Sequence, residues 1–123
     1  MILFVSTNIY NIYKNEVNIN FIDVGQGDAC LIRGKQNNIL IDTGGITFGK
    51  GDNGKSVLIP YLQKNGVKKL DFVFISHLDA DHCKNLGSLS KEVEIKNLFF
   101  RKDGYRDFVK KYGEVKAENI YNI

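Results

Sequence analysis

The sequence predicts an α/β (α+β) domain in which a hairpin-led mixed sheet is covered by helices. Three observations predict it. Three short strand-like segments, separated by turns, follow one another over residues 17–42. From residue 57 onward helix-like and strand-like segments alternate, which is the pattern of βαβ units. Finally, 123 residues with 43% hydrophobic and 25% charged side chains make ordinary globular usage. That composition excludes a disordered, collagen-like or coiled-coil chain.

The elements follow in order. Residues 17–23 (VNINFID) set Val17, Ile19 and Phe21 against Asn18 and Asn20, the period-two alternation of a strand. Residues 25–28 (GQGD) are a turn signal and residues 29–33 (ACLIR) a second strand, so the pair reads as a hairpin. Residues 38–42 (NILID) form a third strand, apolar enough to be buried on both faces. A glycine-rich loop covers 43–55. Ser56 is the expected N-cap of a helix over 57–65 (VLIPYLQKN), with Pro60 tolerable only in its first turn and Gly66 as the stop. Residues 71–76 (DFVFIS) are a β-branched and aromatic strand, 77–82 a loop, and 82–90 a short helix. Residues 94–101 (EIKNLFFR) give a further strand, and 104–112 a last helix with Phe108 and Val109 facing inward.

Residues 1–16 form an N-terminal segment ahead of the domain over 17–123. Residues 1–5 (MILFV) are apolar but too short for a signal-peptide core. They fall far short of the about 20 apolar residues that span a bilayer, so they read as a first strand or ragged start, with the tail of a membrane helix as the alternative. Seventeen basic residues against fourteen acidic give a net charge of +3, too mild to demonstrate a nucleic-acid partner. Cys30 and Cys83 make no disulfide framework.

The chemistry concentrates in residues 76–82 (SHLDADH). His77, Asp79, Asp81 and His82 put four metal-ligand types within six residues, directly after an apolar strand. In extended chain His77 and Asp79 point the same way, and Asp81 and His82 fall where a helix begins. Imidazole with carboxylate suits zinc, manganese or iron rather than calcium. Read on spacing, the segment is a metal site or a polar turn that happens to hold two histidines. Their concentration at the C-terminal end of a strand, where α/β sheets place ligands, favours the site.

The pattern H-x-[HD]-x-D-H resembles the signature of the metallo-β-lactamase superfamily, here as His77, Asp79, Asp81 and His82. Residues 21–29 (FIDVGQGDA), 39–45 (ILIDTGG), Pro60-Tyr61-Leu62 and Leu70-Asp71 come in the order of one branch. Together they look like the C-terminal domain of ComEC-type competence proteins, the DNA-uptake channel family. The resemblance implies an αββα sandwich of which this chain holds about the first half. It implies a hydrolase using one or two divalent metal ions, zinc or manganese, with His77 and Asp79 at the first and Asp81 and His82 at the second. Asp81 would also orient the attacking water as the catalytic residue. The implied activity is a phosphodiesterase or DNase linked to DNA uptake (competence), acting on DNA or another phosphodiester. In that family the domain faces the outer side of the bacterial membrane; no membrane anchor is visible in this chain.

Two departures bear on that reading. Cys83-Lys84-Asn85-Leu86-Gly87 stands where the superfamily places a small Gly-Gly pair, and no histidine follows His82. Asp103 or Asp107 would have to supply a later carboxylate, with no motif around either. The alternatives are therefore a truncated, non-catalytic metal-binding half-domain, or a metallo-hydrolase of a non-nucleic substrate such as a lactam or thioester. Half a sandwich leaves an apolar face and a sheet edge uncovered. A homo-oligomer or a missing complementary segment is the corresponding expectation.

Other signals are secondary. Asp42 ends a strand, where it is expected to support the site rather than bind metal directly. Asp28 either ends a tight turn or lines the site. Cys83 is expected to be a passive helix residue. Residues 49–56 (GKGDNGKS) fit the P-loop pattern, but residues 44–48 intervene after the strand and a flexible loop is expected. Lys50, Lys55, Lys64, Lys68 and Lys69 are expected to flank the rim, as a solvated face or as phosphate attractors.

Overall fold

The structure, a computed structural model, describes residues 16–123. The expectations for residues 1–5 lie outside the described residues. Six strands form one sheet in chain order: β1 (Asn18–Phe21), β2 (Cys30–Arg33), β3 (Asn38–Ile41), β4 (Lys69–Ile75), β5 (Glu94–Phe100) and β6 (Asn119–Asn122). The first two pairings are antiparallel and the rest parallel. A π-helical turn, Gly54–Leu58, leads into α1 (Ile59–Lys64); α2 (Ala80–Cys83), α3 (Leu86–Glu92) and α4 (Gly104–Tyr112) follow. Parallel strands laid down in chain order by right-handed crossovers put their connecting helices on one side of the sheet. That is the mixed, helix-covered sheet the sequence predicts.

Register separates two faces. Leu31, Leu40, Val73 and Leu98 are paired across β2 to β5 and are fully buried. Leu58 and Leu62 before and within α1, Leu86 and Leu89 in α3 and Phe108 in α4 are fully buried in the same core. Each such side chain contributes about 1.5–3 kcal/mol by leaving water. The opposite face carries Phe21, Cys30, Ile41, Phe74, Phe99 and Tyr121 in one row across all six strands. Phe99 stacks on Phe74 at 4.7 Å and on Tyr121 at 4.9 Å. This row is open at its ends, with Phe21 85% and Tyr121 43% exposed. β3 was expected to be buried on both faces. It is apolar on both but covered on one, since Ile41 belongs to the open row and Leu40 to the core.

Three further elements differ from expectation. The helix expected at Ser56 starts earlier, at Gly54, where Asp52 Oδ1 accepts the Lys55 N–H at 3.1 Å. Pro60 then follows a π turn closed by the Ile59 N–H on the Gly54 carbonyl. The wider turn keeps the proline ring off the preceding carbonyls. Gly66 ends the segment in the left-handed region as expected, φ +72°. The helix expected over 82–90 is two helices, because the Asn85 N–H donates to the Gly44 carbonyl instead of continuing the ladder. β6 has no counterpart in the sequence reading. It is four residues long, and it extends β5 in parallel through Ile120 and its neighbours.

Candidate metal centre

β4 ends at Ile75, and the chain turns through Ser76, His77, Leu78 and Asp79 into α2. The turn lies at the C-terminal edge of the parallel strands, where open α/β sheets hold ligands. Two loops pin it there. From the β1–β2 turn, the Asp28 N–H donates to the Asp81 carbonyl at 3.1 Å. From the end of β3, the Thr43 N–H and hydroxyl donate to the His82 carbonyl at 2.7 and 3.1 Å. Both loops owe their approach to glycine. A Cβ on Gly27 would lie 1.6 Å from the Asp81 carbonyl oxygen, and one on Gly45 would lie 2.1 Å from that of Ala80.

The clamp assembles every sequence-predicted site residue. His77 Nε2 lies 3.4 Å from Asp79 Oδ2, and His82 Nε2 lies 3.7 Å from Asp81 Oδ2. The two imidazole centroids are 3.8 Å apart. Two groups of candidate ligand atoms, Asp42–His77–His82 and His77–Asp79–Asp81, each lie within 4.8 Å of one another. His77 is common to both. The Asp28 carboxylate is exposed and sits 3.8 Å from His82 Nδ1. Asp79 is largely exposed and Asp81 half-buried, so the carboxylates face solvent from a fixed backbone.

Asp42 is different. It is 5% exposed and adopts φ +59°, an uncommon conformation for a non-glycine residue. Its Oδ1 accepts the Ser76 N–H at 2.8 Å, while its Oδ2 accepts the Ser76 hydroxyl at 2.6 Å and lies 2.9 Å from His82 Nδ1. Burial of the His82 ring favours the neutral form. The Asp42 hydrogen bond and the charges of Asp42, Asp81 and Asp28 together outweigh that and raise the His82 pKa above its ordinary value.

Sequence reading missed several contributors. In the sequence Ser76 shows only the end of a strand. Asn85 and Asn53 form a buried pair at 2.6 Å, with Asn85 also on the Thr43 carbonyl and Asn53 on that of Val24. Nothing in the composition of those residues separates them from surface asparagines. Cys83, in contrast, is a passive helix residue as expected: it is fully buried, and burial pushes its thiol up to about 11. In the P-loop-like segment, the Asp52 carboxylate accepts the Lys55 N–H and the Asp52 carbonyl the Ser56 N–H, so both amides are taken where a phosphate would need them. The lysine expectation is corrected in part. Lys68 and Lys69 lie at the start of β4, the opposite end of a seven-residue strand from the site. Lys64 ends α1 beside Asn65, which accepts from Arg33 at the far end of β2. Arg101 and Lys102 do adjoin the site, sharing a recess of about 260 Å³ with His77, Gly104 and Asp107.

A family model for the metallo-beta-lactamase superfamily matches residues 22–108. The chain belongs to the metallo-beta-lactamase superfamily. Among curated proteins it is 32% identical over 106 residues to ComE operon protein 3 of Bacillus subtilis, covering 76% of this chain and 14% of that protein. It is 35% identical over 88 residues to competence protein ComA of Neisseria gonorrhoeae, covering 72% of this chain and 12% of that protein. The metallo-beta-lactamase SMB-1, solved with mercaptoacetic acid, superposes with a TM-score of 0.64 at 15% identity. That alignment covers 92% of this chain and 45% of SMB-1. The chain thus spans a small part of its curated relatives and under half of a superfamily fold. The donors fit the divalent metal that this superfamily fold implies, since imidazole nitrogens and carboxylate oxygens come together in two groups that share His77, one with Asp79 and Asp81 and one with Asp42 and His82. Among the described residues, no helix is long and apolar enough to cross a membrane.

Proposed function

We propose that this chain forms the metal-binding half of a phosphodiesterase acting on DNA in the setting of DNA uptake. The observation that carries the reading is the convergence of the two ligand groups on His77. His77 and Asp79 would hold a first divalent ion, and Asp81 and His82 a second, with zinc and manganese the candidates. When bound, such ions lower the pKa of water toward 7 and offset charge on a phosphodiester. Asp81, half-buried at the start of α2, would orient the attacking water. Asp42 and Asp28 support the site, Asp42 by holding the His82 ring and Asp28 from the solvent side. Arg101 and Lys102, beside His77, would attract the phosphate backbone. The competence relatives supply the DNA context, and the outer face of the bacterial membrane is the compartment it suggests.

The open aromatic row favours a second element of the reading. The domain over 17–123 is then partial. A complementary sheet, from a second copy or from another segment, would pack on that row and bring further ligands. DNA cleavage with added manganese or zinc, comparing the native chain with His77→Ala and Asp81→Ala, tests the enzyme reading. Cleavage lost in both variants supports it; native protein that cuts nothing leaves the non-catalytic half-domain.

A further inference from the structure

We propose that Ser76 is a positioning residue that fixes His77 in the tautomer with its proton on Nδ1, as one arm of a relay that starts at Asp42. The inference rests on the metal reading above for its purpose but on hydrogen-bond geometry for its content. A carboxylate accepts hydrogen bonds and donates none, and a serine hydroxyl has one proton to give. Ser76 Oγ lies 2.6 Å from Asp42 Oδ2, so its proton is committed to that oxygen. The same Oγ lies 2.9 Å from His77 Nδ1. With its proton already given, it can meet that nitrogen only as an acceptor. His77 therefore carries its proton on Nδ1 and leaves Nε2 with a free lone pair beside Asp79.

His82 is held the same way without a relay. Its Nδ1 faces Asp42 Oδ2 at 2.9 Å and must donate, so its Nε2 is left free beside Asp81. One buried carboxylate thus sets both rings, His82 directly and His77 through the serine. The Ser76 N–H on Asp42 Oδ1 at 2.8 Å locks the serine backbone to the same carboxylate. A histidine ligand must present an unprotonated nitrogen, and the bond at its other nitrogen decides which one that is. Alanine at position 76 would leave His77 Nδ1 without its acceptor and its ring without a stop.

Long-range proton–nitrogen NMR of the imidazole rings in metal-free protein, at a pH above both ring midpoints, reads the tautomers directly. Native protein is expected to show both histidines protonated on Nδ1. Ser76→Ala should shift His77 toward the Nε2-protonated form and leave His82 unchanged, and Ser76→Thr, which keeps the hydroxyl, should restore His77. Native His77 protonated on Nε2, or Ser76→Ala with an unaltered His77, would overturn the inference. Zinc competition against a chromophoric chelator gives the second readout, with about tenfold weaker binding expected in Ser76→Ala and equal binding counting against the role. Native protein that binds no zinc would sink the metal reading instead, while the tautomer spectra still decide the relay.

Discussion

Gly27→Ala tests the clamp that holds the metal-site turn. A Cβ there would lie 1.6 Å from the Asp81 carbonyl oxygen and 2.5 Å from its carbonyl carbon. No side-chain rotation relieves a clash between two backbones, so the hairpin turn must retreat from α2. The retreat breaks the Asp28 N–H bond to Asp81, worth about 1 kcal/mol. The backbone at Gly27 is also left-handed, φ +87°, which costs a side chain about 1–2 kcal/mol. Together these give a loss of about 2–3 kcal/mol. Gly25→Ala is the control, since Gly25 has φ +80° but nothing within 4 Å of its Cβ. It should show the conformational cost alone, about 1–2 kcal/mol. Urea denaturation should rank the two variants in that order, and zinc affinity should fall in Gly27→Ala only. Equal losses would refute the close approach as the reason for glycine at 27.

The remaining predictions concern three other features. Cys83 should resist alkylation in the folded chain at pH 8, because burial holds its thiol near 11, and should react once urea unfolds the protein; modification at the rate of free thiol would contradict its burial. His82 has a raised pKa in the folded state, so its charge stabilises the metal-free fold most below its unfolded value, and that contribution fades as pH rises through the folded value. The stability gap between native and His82→Gln should accordingly narrow as pH rises above about 6.5, the unfolded value, while a gap that widens would reverse the assignment. The open sheet face predicts that native protein binds a hydrophobic dye and elutes larger than 13.9 kDa. Phe99→Lys, placed between Phe74 and Tyr121, should reduce both signals, and a native monomer that binds no dye would contradict the exposed face.

Local signals were legible and borrowed ones were not. α4 was read from the sequence with its observed bounds, Gly104–Tyr112, and Phe108 faces the core as expected. Val109 lies on the flank of that helix, half-buried, rather than inward. β1 to β5 were read from alternation and β-branched runs that need no partner to recognise. β6 was missed because NIYN sets its two apolar residues side by side, with no alternation, and gains its identity only from β5. The helix over 82–90 was read as continuous because periodicity cannot show that Asp28 and Thr43 claim the carbonyls of Asp81 and His82. The four-residue motif named its own ligand types, and it sits where they converge. What surrounds it was hidden, because a serine, two asparagines and two glycines acquire their roles through contacts 32 to 54 residues away in sequence.

Metal titration of the native chain and of His77→Ala tests the central claim most directly, since His77 belongs to both ligand groups. Zinc or manganese is expected to bind the native chain, and His77→Ala is expected to lose that binding while keeping its fold by circular dichroism. A native chain that binds neither ion, or a His77→Ala variant that binds as well as native, would contradict a metal centre at this sheet edge.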